Sequence, residues 1–327
     1  MKRILSTAFA AASVILLSAC KEIIDFNGKY DGEKLVLFSC ANPDASRLTV
    51  SLSKSRFFLD DSQDPNPFDL KGGTVTMTIG DKTVTLTEDP DRAGTFHTDL
   101  VPDVGGRVVL NASAPGLAPV TCEAVVPERV RCEVEHVDTK VLGESDWTVT
   151  VEHHVRITIH DDGSRRDYYR FSAVRTETGP DIVLYASTSL LTNDVAFVSP
   201  GAISSPAEII DSGEKICNID GVYDDSFFNG KDYSFEVWFE DSVWKYAQSY
   251  GGHSEEPVDY DIHDLSGWGI EVDALSEDLY KYLRSREDYI KSDEGLISFF
   301  TEPVGIHSNI MGGIGCFGAI TPALTMF

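Results

Sequence analysis

The sequence predicts a mostly β protein, with an N-terminal immunoglobulin-like β-sandwich followed by a second β-rich domain that has one long helix near the C-terminus. Short segments with alternating apolar and polar residues, such as residues 48–52, are separated by turn residues in the first part of the chain. Longer alternating segments, such as residues 148–160, follow Pro127. Apolar spacing typical of a helix occurs after Ser276.

Residues 1–19 have the organisation of a lipoprotein signal peptide. Lys2 and Arg3 precede an apolar run that is too short and wrongly flanked to be a stable membrane span. Leu-Ser-Ala-Cys at 17–20 resembles the lipobox of bacterial lipoproteins, so we expect Cys20 to carry the lipid that anchors the chain to a membrane. Residues 20–33, which include two glycines and four acids, are then the lipidated tether.

Residues 34–127 are predicted to form the sandwich. Its strands are expected at residues 34–41, 48–52, 75–79, 84–86, 95–99, 107–112 and 120–126. Cys40 on the first strand and Cys122 on the last are candidates for a disulfide, because the terminal strands of such sandwiches often lie side by side. The odd number of cysteines that remains after lipidation leaves at least one thiol free.

Residues 128–327 are predicted to form the second β-rich domain, with a helix at about 276–292. Ser276 is a good N-cap, and acids follow it in the first turn. On the strand at 148–160, His153 falls on the apolar face while His154 and His160 fall on the solvent face, about 20 Å apart along the strand. That separation argues against a metal site built from these two histidines.

A glycine-rich segment at 309–318 closes the second domain. Loops that bind phosphate precede a helix, and no helical pattern follows here. We therefore expect a bulged strand, at a place where another backbone or a large ring comes close.

The net charge of −26 excludes a nucleic-acid-binding role, because a field of this sign repels phosphates. Neither the Gly-x-Ser-x-Gly nor the His-Glu-x-x-His motif of hydrolases occurs. We predict no catalytic residues, no metal and no cofactor.

Candidate ligand-binding residues lie around an insertion at 241–267, which is rich in acids and aromatic residues. A loop of this length is uncommon unless it binds something, forms structure of its own or is disordered. The candidates are Trp238, Trp244, Tyr246 and Tyr250, whose rings would stack on a sugar or grip a partner. The alternative is that the helix or the other domain covers these rings, which would make them ordinary core residues.

Five segments of the chain together carry a resemblance to known proteins: the lipobox at Cys20, Asp-Tyr-Tyr-Arg-Phe at 167–171, Phe-Asn-Gly-Lys-Asp-Tyr at 228–233, Leu-Ser-Glu-Asp-Leu-Tyr-Lys-Tyr-Leu at 275–283, and Glu302-Pro303 leading to the glycine-rich segment. With these segments the chain resembles one family, the domain-of-unknown-function 4249 lipoproteins of the Bacteroidota outer membrane. The resemblance implies an immunoglobulin-like first domain, a mostly β second domain and an outer-membrane address, often beside a TonB-dependent transporter. It implies no catalytic residues.

These observations favour a non-enzymatic, outer-membrane-anchored accessory protein that helps a TonB-dependent transporter capture or hand over a ligand. Its expected partners are the membrane, through the lipid on Cys20, and the transporter. A structural surface protein or adhesin is an alternative. A secreted glycosidase is less favoured, because some pair of carboxylates will always sit at a workable separation in a chain with 53 acids.

Overall fold

A computed structural model describes most of the chain. The described residues are 32–56, 70, 72–178, 183–188, 190–194, 196, 215–217, 221–249, 252–293 and 305–327. The predicted signal peptide, Cys20 and Tyr250 lie outside these ranges. Residues 33–327 belong to one compact unit.

The secondary structure consists mainly of strands, which confirms the predicted fold class. The first eight strands are β1 (Leu35–Ala41), β2 (Leu48–Lys54), β3 (Thr74–Ile79), β4 (Lys82–Thr85), β5 (Thr87–Glu88), β6 (Thr95–Thr98), β7 (Arg107–Ser113) and β8 (Val120–Val125). The following strands are β9 (Cys132–Glu144), β10 (Thr148–His160), β11 (Tyr168–Thr178), β12 (Val183–Thr188), β13 (Leu191–Thr192), β14 (Ile216–Cys217) and β15 (Val222–Asp224). The remaining elements are β16 (Asp232–Trp244), β17 (Tyr246–Ser249), β18 (Gly252–Pro257), β19 (Trp268–Leu275), α1 (Glu277–Asp293), β20 (Ile314–Thr321) and β21 (Leu324–Met326).

One large sheet runs through both halves of the molecule. Its strand order is β12-β11-β19-β20-β1-β2-β6-β5, with β15 also paired to β11 and β21 to β19. A four-stranded sheet, β4-β3-β7-β8, and a five-stranded sheet, β14-β13-β16-β10-β9, complete the two cores, while β17 and β18 form a separate hairpin. The two sandwiches therefore share a sheet.

The first core fills the space between the four-stranded sheet and the β1-β2-β6 part of the large sheet. Leu37, Val50 and Phe96 come from the large sheet, and Met77 and Leu110 come from the small one. Residues from the C-terminal segment, Ile310, Phe317 and Ala319, belong to the same core. Strand β20 thus completes the sandwich that the N-terminal part of the chain forms.

The second core lies between the five-stranded sheet and the β11-β19 part of the large sheet. Alternate residues of β10 and β16, such as Ile157 and Phe235, are buried there against Phe171 and Ile270. His153 is buried on this inner face, whereas His154 and His160 lie on the outer face, as their positions in the alternation predict.

Helix α1 begins directly after β19 and packs beside β20. The carbonyl of Ser276 accepts the N–H of Tyr280 at 3.0 Å, so Ser276 occupies the predicted N-cap position. Its hydroxyl instead accepts the N–H of Ala319 at 2.9 Å, which ties the start of the helix to β20. Among the described residues, no helix is long and apolar enough to cross a bilayer.

A buried ion pair joins β11 to β19. Arg170 donates from Nε and Nη2 to Oδ2 of the buried Asp273, at 3.0 and 2.7 Å. Desolvation outweighs the nearby guanidinium and raises the pKa of Asp273 to about 6. Because this pKa is above that of an exposed aspartate, the carboxyl contributes stability at acid pH, and that contribution is lost as the pH rises through about 6.

Cysteines 40, 122, 132 and 316 are free thiols, so the predicted disulfide between Cys40 and Cys122 is not formed in the structure. Its premise was that the first and last strands of the sandwich are neighbours. Instead β1 lies between β2 and β20, and β8 belongs to the four-stranded sheet. Burial raises the pKa of both Cys122 and Cys316 to about 12, which makes these thiols poor nucleophiles.

The second half of the glycine-rich segment belongs to β20, and its glycines allow the backbone of β1 to approach. Gly315 has a φ of 125°, and a Cβ placed there would lie 1.9 Å from the carbonyl oxygen of Leu37. The expected close approach of another backbone is therefore confirmed. Side chains other than hydrogen are excluded at this position because both the backbone angle and the contact forbid them.

We predict that Gly315→Ala lowers the free energy of unfolding by about 3 kcal/mol, because β1 and β20 must separate to admit the methyl group. Urea denaturation of the purified protein measures this loss. Gly143→Ala in β9 is the matched control, because nothing lies within 4 Å of a Cβ placed there. Equal losses in the two variants would contradict the role given to Gly315.

Candidate functional site

The outer face of the five-stranded sheet displays charged side chains. His154 Nε2 lies 2.9 Å from Oε2 of Glu236, and Arg156 Nη2 lies 3.1 Å from Oε1 of the same carboxylate. Hydrogen bonds from these two side chains help to lower the pKa of Glu236, against the opposing effect of partial desolvation. His160 contacts Asp232 at 2.8 Å in the same way. The basic side chains on this part of the face are therefore paired with neighbouring carboxylates.

Trp238, one of the predicted binding residues, lies on this outer face and is already engaged by its neighbours. Its ring stacks on His154 with 4.7 Å between ring centroids, and the Nζ of Lys215 lies 4.5 Å from the ring centroid. Lys215 Nζ also contacts Glu152 at 2.5 Å. The ring of Trp238 therefore makes a stacking contact and a cation–π contact with residues of the same protein.

Aromatic side chains that are exposed or half-buried gather where β9 and β16 end and β10 begins. We call Trp147, Trp244, Tyr246 and Tyr260 the aromatic end. Trp147 is 45% exposed, Tyr260 40% and Trp244 36%. The rings of Trp147 and Tyr246 are in contact, with centroids 5.2 Å apart. Exposed aliphatic residues from the same segments extend this surface: Val141, Leu142 and Val258.

The aromatic end is held together by hydrogen bonds from Lys245. Its N–H donates to the carbonyl of Trp147 at 3.0 Å, and its carbonyl accepts the N–H of Val258 at 3.0 Å. Its ammonium group donates to Glu144 at 2.5 Å and to the carbonyl of Ser145 at 2.7 Å. One residue thus links the β9–β10 turn, the β16–β17 junction and the segment after β18.

Tyr260 of the aromatic end lines a cavity of about 540 Å³. Its lining combines apolar side chains with three carboxylates, and consists of Val141, Glu144, Val149, Val258, Asp259, Tyr260, Asp261 and Ile262. Such a lining suits a ligand that offers an apolar or ring face together with cationic or hydroxyl groups.

The structure brings together only part of the predicted site. Trp244 and Tyr246 belong to the aromatic end, while Trp238 lies six residues, or about 20 Å, away along β16. Tyr250 is outside the described residues. The sequence analysis did not select Trp147 or Tyr260 as binding residues. Trp147 directly follows Ser145-Asp146, a pair typical of turns, between two long alternating segments. This signal in the sequence would have placed the ring of Trp147 at the tip of a hairpin.

A chain of polar contacts enters the second core at β9 and β10. Thr139 Oγ1 lies 3.0 Å from Nε2 of His136 and 2.9 Å from Nδ1 of His153. The other ring nitrogen of His153 is 4.0 Å from Oδ2 of Asp241, which is beyond hydrogen-bond reach. A hydroxyl, an imidazole and a carboxylate are present in series, but the carboxylate does not orient the imidazole as a catalytic triad requires.

Three aspartates from distant positions converge at another edge of the second sandwich. Asp161, Asp167 and Asp225 each place an oxygen within 4.8 Å of the others. Burial and the neighbouring carboxylates raise the pKa of Asp167 and of Asp225. No spacing signal marks this group in the sequence, because its members lie on two separate connections of the chain.

Comparison with known proteins identifies one match. A family model described as a domain of unknown function, DUF4249, matches residues 21–324. No curated protein and no solved structure matches the chain.

We predict that Trp244→Ala changes the free energy of unfolding by less than about 1 kcal/mol, because its ring already contacts solvent. Trp268→Ala is the matched control: this ring is buried in the second core, and its loss should cost about 3–5 kcal/mol. Urea denaturation measures both. A loss at Trp244 as large as that at Trp268 would mean that Trp244 is a core residue.

Proposed function

The chain belongs to the DUF4249 family, a domain of unknown function, and from this premise we propose that it is a non-enzymatic binding protein. In this proposal it is anchored to the outer membrane by lipid on Cys20 and assists a TonB-dependent transporter in ligand capture or hand-over. The aromatic end and its cavity are the binding surface.

The observation that carries the proposal is the aromatic end, one member of which, Tyr260, lines an acid-rich cavity. Aromatic side chains supply much of the binding energy at interfaces, because each buries a large rigid surface at a low cost in conformational entropy. Trp147 and Trp244 remain exposed although the cores of the same protein bury rings such as Phe239 and Trp268 completely or nearly so. The exposed part of each ring, 45% of Trp147 and 36% of Trp244, is the surface that a ligand would cover in this proposal.

The charges around the cavity favour a ligand with cationic or hydroxyl-rich groups. Glu144, Asp259 and Asp261 line it, and Lys245 neutralises Glu144. Two carboxylates then remain to orient a ligand whose apolar face rests on the rings. The overall charge of −26 also repels anionic ligands at longer range.

A catalytic role has weaker support. The Thr139–His153–Asp241 series has the residue types of a hydrolase, but its His–Asp separation is 4.0 Å and His153 is fully buried. A substrate reaching Thr139 would meet an imidazole that the carboxylate does not orient. A structural surface protein or adhesin remains the alternative, and it would use the same aromatic end without a transporter.

We predict that Cys20→Ala releases the protein from the membrane, because the lipid is the anchor in our proposal. Fractionation of cells into soluble and membrane parts, followed by immunoblotting, measures the distribution. A mild detergent should release the wild-type protein but leave the distribution of the variant unchanged. A variant that still requires detergent for its release would contradict lipid anchoring at Cys20.

We predict that the double variant Trp147→Ala/Trp244→Ala loses at least about tenfold in association with its transporter, because the removed rings would anchor the interface. Co-purification of the lipidated protein from its own membrane measures this, with quantification of the transporter recovered. Screening the purified protein against glycans and basic peptides measures ligand capture in parallel.

Tyr289→Ala is the matched control for this experiment, because it removes an exposed ring from α1, outside the aromatic end. The double variant must keep the thermal stability of the wild-type protein for the loss to report on binding. If transporter recovery and ligand capture both match those of the control, the aromatic end is not the binding surface. If the wild-type protein adheres to surfaces but no transporter is recovered with it, the structural alternative is favoured.

A further inference from the structure

The geometry points to a calcium site formed by Asp161, Asp167 and Asp225. It is independent of the aromatic end, and it differs from the expectation of the sequence analysis, which predicted no metal. The ligand class is a hard divalent cation held by carboxylate oxygens.

The three carboxylates come from two connections that the second sandwich brings together. Asp161 and Asp167 begin and end the link between β10 and β11, and Asp225 opens the single 3₁₀ turn that follows β15. One oxygen from each lies within 4.8 Å of the others. Two oxygens on opposite sides of one Ca²⁺ are about 4.6–5.2 Å apart, so the observed spacing accommodates this ion.

The oxygen that carries the inference is Oδ1 of Asp225. The Asp225 side chain is fully buried, and Oδ1 has no hydrogen-bond donor in the part of the chain that the structure describes. Its other oxygen accepts the N–H of Asp167 at 2.8 Å and the side-chain amide of Asn229 at 3.2 Å. A buried carboxylate oxygen without a donor is costly, and a cation beside it removes that cost.

The other two aspartates are held in place by protein donors and keep lone pairs for a cation. Asp161 accepts the hydroxyl of Tyr169 and, at 2.7 Å, the N–H of Gly230. Asp167 accepts from Nε of Arg165 through Oδ1, at 2.6 Å. An ionised carboxylate has about four acceptor positions, so these bonds leave room for coordination.

The local charge favours a cation although arginines are present. Five carboxylates lie in this region, those of Asp161, Asp162, Asp167, Asp224 and Asp225. Arg165 pairs with Asp167 and approaches Asp162 at 3.9 Å, while Arg166 pairs with Asp224 at 2.8 Å. The carboxylates of Asp161 and Asp225 have no basic side chain in salt-bridge contact among the described residues.

Asp167 is the member of the group that lines a neighbouring cavity of about 390 Å³. The lining of this cavity also includes Asp162 and Tyr169, together with Arg129, Arg131 and Arg165. Ca²⁺ takes six to eight oxygen ligands, and water supplies those that the protein does not. The donor set contains only oxygen, which suits Ca²⁺ better than zinc or copper.

The backbone is also shaped for this arrangement. A Cβ on Gly163 would lie 2.7 Å from the Cα of Gly230, so the two connections approach as closely as glycine permits. That contact positions Asp161 against the segment 225–230. It brings together two of the segments that carry the family resemblance, 167–171 and 228–233.

The test is calcium binding by the full-length protein in detergent, after removal of metal with EGTA. We expect isothermal titration to give one Ca²⁺ per chain with a dissociation constant on the order of 10⁻⁴ M, in the range of extracellular calcium sites. We expect Ca²⁺ to raise the melting temperature, and bound Tb³⁺ to luminesce when tyrosine is excited, since Tyr169 contacts Asp161. Mg²⁺ should bind at least about tenfold more weakly, because it demands a tighter octahedron.

Asp225→Asn should weaken Ca²⁺ binding at least about tenfold and abolish the calcium-dependent rise in melting temperature. Asp91→Asn, which removes the same charge from an exposed turn of the first sandwich, should change neither. If Asp225→Asn fails to fold, Asp161→Asn takes its place with the same expected result. Absence of calcium binding in the wild type, equal effects of the cluster and control variants, or Mg²⁺ binding as tight as that of Ca²⁺ would each overturn the proposal.

Discussion

The structure depends on the parallel pairing of β1 with β20. This pair places the C-terminal strand between β1 and β19, so it joins the halves of the large sheet that serve the two cores. β20 meets β19 through two residue pairs only, Ala274 with Thr321 and Leu275 with Ile320, whereas it meets β1 through six. Phe317 completes the first core from this strand. Loss of the pairing would therefore expose apolar surface in the first sandwich and divide the sheet.

The two candidate sites both lie where strands of the second sandwich end, and each is held by contacts between segments far apart in the sequence. Lys245 links three segments at the aromatic end. Asp161 and Asp225 link two connections at the carboxylate group. The sheets supply rigid positions from which turns and connections present side chains, which is the usual relation between scaffold and function. The two sites use different chemistry, rings at one and carboxylates at the other.

Local patterns in the sequence predicted the strands and the helix. The features that could not be predicted depend on contacts between distant segments. Alternation placed β10 correctly and assigned His153 to the core, because side-chain direction in a strand has a period of two. The helix was predicted within one residue at each end. The neighbours of β1 could not be predicted, because pairing with a strand almost 280 residues later leaves no local pattern. For the same reason the disulfide premise failed, and the three aspartates were not recognised as a group.

The position of β20 also has a consequence for biogenesis. Synthesis delivers β1 and β2 well before β20, so the edge of β1 that β20 will cover stays unpaired until β20 has been made. An unpaired edge beside an unfinished apolar core is a template for association with other chains. Glycines let β20 fit against Leu35 and Leu37. These glycines have no side chains that could make other contacts before β20 pairs with β1. A chaperone that covers this edge until β20 arrives would suit such a folding order.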